Sequence, residues 1–171
     1  HSEEGGINSS TPMINVNGEV VMKDATIENN WANNHNGGAV FKVNEGASVT
    51  LEEGAEIDHI RSSVFGQVYG TVNIEEGSKV SDVYAQDSNG GMSDLRGSGV
   101  LNINGNTYVE VAQEAIVGNS ANNVVTIGEN ATLVSTGGNT VTVNADGLVI
   151  NNKGTVIGET DGKFAVSVSK N

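Results

Sequence analysis

Leu51-Glu-Glu-Gly-Ala-Glu-Ile57 and Ile74-Glu-Glu-Gly-Ser-Lys-Val80 align without a gap, and each completes a short β-branched run, Gly46-Ala-Ser-Val-Thr-Leu51 or Gly70-Thr-Val-Asn-Ile74. A phrase that returns at this interval marks an internal repeat, one structural unit stacked on its copy. The same opening recurs as Gly18-Glu-Val-Val-Met22, Gly99-Val-Leu-Asn-Ile103 and Gly147-Leu-Val-Ile150, with a weaker copy at Asn130-Ala-Thr-Leu-Val134. The first four starts lie 28, 24 and 29 residues apart. Apolar residues alternate within each phrase, the period of a strand with one side inward.

A second phrase follows the first: an aliphatic residue, two polar residues, then a core or amide position. Its copies are Ile27-Glu-Asn-Asn30-Trp-Ala32, Ile57-Asp-His-Ile60-Arg-Ser62, Val80-Ser-Asp-Val83-Tyr-Ala85 and Ile116-Val-Gly-Asn119-Ser-Ala121. A third phrase, Gly37-Gly-Ala-Val-Phe41, leads back to the next strand and has a partial echo in Gly90-Gly-Met92. Three short strands per repeat, separated by Gly and Asn, describe one coil of a parallel β-solenoid. No such strand buries a face alone; stacking coils about 4.8 Å apart completes both hydrogen bonds and core. An antiparallel sandwich would instead need hairpins every ~8–12 residues and no longer period. The expectation is an all-β, right-handed parallel β-helix of six or seven coils. Residues 1–13 form a cap or linker, 14–98 acidic coils with the aromatics, and 99–171 plainer, stalk-like coils.

Composition agrees. The 171 residues include 23 Gly and 23 Asn, one Pro, no Cys, and 21 acidic against 8 basic side chains, for a net charge of −13. So much Gly and Asn would suit disorder, but 24 valines in alternating runs do not. Zero Cys excludes disulfides and thiolate chemistry, and three His make a zinc site a poor reading. The acidic balance disfavours nucleic acid and anionic membrane as partners, and no apolar run is long enough for direct membrane insertion. The chain opens at His1 without Met or a signal-peptide pattern, as expected of a piece of a longer precursor.

The phrases Ile27-x-x-Asn30-x-Ala32, Gly37-Gly-Ala-Val40 and Ile116-x-x-Asn119-x-Ala121 resemble the Asn and Gly-Gly-Ala repeats of right-handed β-helix bacterial surface adhesins. These include polymorphic outer-membrane-type proteins and autotransporter passengers. The resemblance covers residues 14–121 and departs from the pattern at Ile60 and Val83, where the ladder Asn becomes aliphatic. It implies an extracellular location on a bacterial cell surface, with signal and anchor outside this chain, and a binding or spacer role.

Stacking the second phrase puts Trp31, Arg61 and Tyr84 at one outward corner of three successive coils, flanked by Asp58, His59 and Asp82. These residue types dominate interface hot spots, and a solvent-facing row of them costs solubility unless covered. Asp87-Ser-Asn89-Gly-Gly-Met-Ser-Asp94 spaces oxygen donors Asp87, Asn89 and Asp94 as a calcium candidate, but position twelve is Ser98 instead of a bidentate Glu. Otherwise no cofactor is expected. Lys23 is placed to pair with Glu52 and to ease the stacking of Glu52-Glu53 on Glu75-Glu76. The resulting expectation is a non-catalytic adhesin. Its partner is a host or environmental glycan or glycoprotein, or a host protein such as an immunoglobulin, and weak end-to-end self-association is expected. The alternatives are a fragment of a carbohydrate-active lyase- or hydrolase-like enzyme and a purely structural spacer.

Overall fold

The structure is a computed structural model that describes residues 11–30, 39–84, 90–104, 114–159 and 161–168. The first coil contributes β1 (Ile14–Val16), β2 (Glu19–Met22) and β3 (Thr26–Glu28). The second contributes β4 (Phe41–Val43), β5 (Ser48–Leu51) and β6 (Glu56–Ile60), and the third β7 (Phe65–Val68), β8 (Thr71–Ile74) and β9 (Lys79–Val83). Next come β10 (Ser93–Leu95) and β11 (Val100–Ile103), then β12 (Ile116–Gly118), β13 (Val124–Ile127) and β14 (Thr132–Ser135). The last are β15 (Val141–Val143), β16 (Val149–Asn152), β17 (Thr155–Gly158) and β18 (Val166–Val168).

All strand pairs are parallel. The first sheet stacks β1-β4-β7-β10-β12-β15-β18, the second β2-β5-β8-β11-β13-β16, and the third face carries β3-β6-β9 and β14-β17. This is a parallel β-solenoid whose coil count is close to that expected from the repeat.

The alternation of apolar residues becomes stacked core columns. On the second sheet Leu51, Ile74, Ile103 and Ile127 lie in register and are fully buried. On the third face Ile57 pairs with Val80 and Ile60 with Val83. On the first sheet the rings of Phe41 and Phe65 stack with centroids 5.5 Å apart and planes 17° from parallel. Each such side chain contributes about 1.5–3 kcal/mol of burial, so stability accrues coil by coil. The stacked pair adds roughly 0.5–1.5 kcal/mol.

Glycine serves two successive corners for different reasons. At Gly70 and Gly99 the reason is space: a Cβ would collide with the carbonyl of Ala47 or of Val68 on the coil below. At the next corner Gly54 (φ 77°) and Gly77 (φ 81°) supply the left-handed backbone, a place that Asp24 takes in the first coil at φ 47°. Lys23 Nζ lies 3.7 Å from Glu52 Oε2, the pairing expected from sequence.

Two phrase assignments need correction. Asn130-Ala-Thr-Leu-Val134 is no copy of the first phrase: β14 lies on the third face, paired with β17. The missing copy is Val124–Ile127, which follows Asn123 instead of Gly. Asn123 does the corner's work with its amide, accepting from Ser120 N at 2.8 Å and donating to the carbonyls of Gly97 and Gly99 at 3.3 Å. Likewise Ile116-Val-Gly-Asn119 belongs to the first sheet, because β12 pairs with β10 and β15. An aliphatic residue followed by two others and a polar corner describes strands of both faces, so the phrase alone did not distinguish them. Asn119 therefore stacks above Arg96 and below Asn144, not on the column of Asn30, Ile60 and Val83.

Candidate functional site

The third face of the first three coils carries the charge that the repeat places there. Thr26, Glu56 and Lys79 are in register, as are Glu28, Asp58 and Ser81. The next position is occupied by Asn29 (φ 57°), His59 (φ 55°) and Asp82 (φ 44°), three stacked non-glycine residues in the left-handed region. Each costs about 1–2 kcal/mol of backbone strain, and Asn, His and Asp tolerate it better than most. The turn lets Asp58 and His59 both stay accessible while Ile60 and Val83 return to the core. Strain repeated in one column on a solvent-facing edge is the kind found at binding and catalytic sites.

Side chains tie this column together. The Lys79 ammonium donates to Glu56 Oε1 at 2.9 Å, and this hydrogen bond with the neighbouring carboxylates holds the ammonium pKa above its usual value. Ser81 Oγ donates to Asp58 Oδ1 at 2.5 Å. Arg61 grips Asp82 in a fork, Nη1 to Oδ1 at 3.1 Å and Nη2 to Oδ2 at 3.2 Å, with Nη1 also 3.0 Å from the Asp82 carbonyl. His59 Nδ1 lies 2.5 Å from Asp82 Oδ2 on the other side. Partial burial pushes the Asp82 carboxyl up, but the hydrogen bonds and charges of Arg61 and His59 outweigh it and hold the group below the usual carboxylate value.

Tyr84 N donates to the Ile60 carbonyl at 2.8 Å, so Tyr84 sits one coil above Arg61. Arg61 N donates to the Asn30 carbonyl at 2.8 Å, which carries the register down to the first coil. Trp31, the third member of the expected row, lies outside the described residues. Arg61, Tyr84, His59, Asp58 and Asp82 are thus brought together on one edge. Arg61 is 26% exposed as a side chain, and His59 is 53% exposed. This edge offers an aromatic face, a guanidinium fixed in one orientation and several carboxylate oxygens: recognition chemistry for a polar surface.

Of the calcium candidates, Asp87 and Asn89 lie outside the described residues. Asp94 sits on β10, buried, with both oxygens engaged. Arg96 Nε donates to Oδ2 at 2.8 Å and Asn119 Nδ2 to Oδ1 at 2.7 Å. Among the described residues no three His, Asp or Glu side chains are grouped to hold a metal ion.

A second corner escaped the sequence reading. Between the first and second sheets, Asn44, Tyr69, Arg96, Asn119 and Asn144 stack coil on coil through their backbone hydrogen bonds. Each lies two to five residues ahead of the residue that opens a second-sheet strand, a spacing too variable to align the column from sequence. The chain matches no protein-family model, no curated protein and no solved structure.

Proposed function

We propose that this chain is a non-catalytic binding module of an extracellular bacterial surface adhesin, whose Arg61–Tyr84 corner reads a partner displayed by a host or by the environment. Among the described residues eight large apolar side chains are exposed, and Tyr84 (45%) is the one that does not lie on the first or last coils. That isolated exposure, directly above an Arg held in place by Asp82, carries the reading. Arg and Tyr amid paired charges suit a protein surface, such as an immunoglobulin, better than a neutral sugar. A glycan carrying both polar and apolar faces is the other partner class that this corner would accept.

A screen of immobilised host proteins and glycans against the chain tests this. Tyr84→Ala and Trp31→Ala should abolish capture of the partner with an unchanged far-UV circular dichroism spectrum. Capture that survives both substitutions refutes the corner as the site. Turnover of pectin, alginate or host glycans would replace the adhesin with the enzyme reading.

A further inference from the structure

The second sheet presents a surface of opposite chemistry to the charged edge. From β2 to β16 its register runs without a bulge. One solvent-facing column continues through Ser48, Thr71, Val100 and Val124. The other runs through Thr50, Asn73, Asn102 and Thr126. Neither contains a charged residue from Ser48 to Asn151, in a chain of net charge −13. Asn102 Nδ2 donates to Asn73 Oδ1 at 2.9 Å, and Asn73 Nδ2 donates to Thr50 Oγ1 at 3.3 Å. The ladder fixes these amides yet leaves each with unspent donor and acceptor capacity.

The Tyr69–Arg96 corner borders this sheet. Arg96 Nε and Nη2 both lie 2.8 Å from Asp94 Oδ2, and Asn144 Nδ2 donates to Asn119 Oδ1 at 3.0 Å above them. Tyr69 stacks directly beneath Arg96 at the same corner. The Asp94 side chain is only 3% exposed, and burial pushes its carboxyl up against the opposing pull of Arg96 and Asn119. Burying a carboxylate beside an Arg costs desolvation that the pair does not fully recover. What it secures is an oriented guanidinium on a rim without net charge.

We propose that the second sheet, with Tyr69 and Arg96 as its rim, is a binding platform for a neutral polysaccharide chain. Hydroxyls and amides spaced about 4.8 Å apart along the rod match a polymer that presents hydroxyls at repeated intervals. The branched methyls of Val and Thr cover sugar C–H faces, and Tyr69 offers a ring for stacking. An unbroken sheet face suits an extended chain, whereas small molecules take concave sites. The solvent-facing columns carry no charge to select an acidic polymer, and the rim guanidinium is neutralised by Asp94. This site lies on a different face from Arg61 and Tyr84 and does not depend on them.

Affinity electrophoresis of the intact chain through gels containing mixed-linkage β-glucan, galactomannan or polygalacturonate tests the proposal. At least one neutral polymer should retard the protein, and polygalacturonate should not. Asn102→Glu and, on the next coil, Thr126→Glu should each weaken retardation about tenfold or more, the loss expected when ligand hydrogen bonds are replaced by a desolvated charge. Tyr84→Ala should leave it intact, which separates this site from the charged corner. Circular dichroism confirms the fold of each variant. Retardation by polygalacturonate alone, by none of the three polymers, or equally for both Glu variants and the parent overturns it. So does a Glu-sensitive self-association without glycan binding, which would assign the face to a second copy of the chain.

Discussion

Two buried serines should respond to the same substitution with opposite signs. Ser93 lies in the inward column of the first sheet, between Phe65 and Ile116. It is fully buried, and its Oγ has no hydrogen-bond partner among the described residues. Ser63 is equally deep, but its Oγ donates to the Gly90 carbonyl at 3.0 Å. An unsatisfied buried hydroxyl costs roughly 1–3 kcal/mol, and a made hydrogen bond contributes about 1 kcal/mol. Ser93→Ala removes the unpaired oxygen and sacrifices only a few dispersion contacts of about 0.1–0.2 kcal/mol each. It should therefore stabilise by about 1 kcal/mol, whereas Ser63→Ala should destabilise by about as much. Urea unfolding at constant m reads this as midpoints moving in opposite directions, and thermal melts as shifts of about 2–4 °C up and down. A Ser93→Ala midpoint below that of the parent would refute the reasoning, since the hydroxyl would then be satisfied in the folded state.

Other substitutions probe the remaining devices. Phe65→Ala should cost about 3–5 kcal/mol in chemical denaturation, because it removes a fully buried ring and its stacked partner contact. Gly70→Ala should destabilise by about 1–3 kcal/mol, since the Cβ meets backbone and not a movable side chain; a neutral melt would contradict this. For Asp82 the folded carboxyl titrates below its unfolded value, so its stabilising contribution is present above the unfolded pKa and is lost as pH falls through the folded one. Asp82→Asn should thus be less stable than the parent at neutral pH, with the gap closing only below about pH 4. Finally, Val149, Ile157, Phe164, Val166 and Val168 expose apolar surface on the last coil, which predicts weak, concentration-dependent association by sedimentation; monodisperse monomer at high concentration would contradict it.

The second-sheet strands were the most legible part of the fold. In Gly70-Thr-Val-Asn-Ile74 and Gly99-Val-Leu-Asn-Ile103 a required glycine and strict alternation occur together, and each follows from a physical constraint. The strand after Asn123 was missed because an amide replaced the glycine and satisfied the corner by hydrogen bonding instead of by making room. The three-residue strands of the first sheet carry too little alternation to separate Ile116 from the third face. At the site, the Arg61–Tyr84 stacking was readable from register alone. The fork onto Asp82 was not, because it depends on the left-handed backbone at His59 and Asp82. Tyr69 and Arg96 were hidden for another reason: neither follows a repeated phrase, and only the backbone hydrogen bonds between coils reveal that they share a corner.

The first sheet absorbs a surplus residue that the second never admits. Between Phe65 and Val68 the chain spends one residue more than in the neighbouring strands, at Gly66, where a side chain would press within 2.5 Å of the Ala39 methyl. The coils also differ in length, with first-sheet strands starting at Ile14, Phe41, Phe65, Ser93, Ile116, Val141 and Val166, while the register of the second sheet runs without a bulge. A rod built this way accommodates insertions in its corners without changing its pitch. New loops can be acquired or exchanged on the outside while the repeat distance of the neutral face stays fixed.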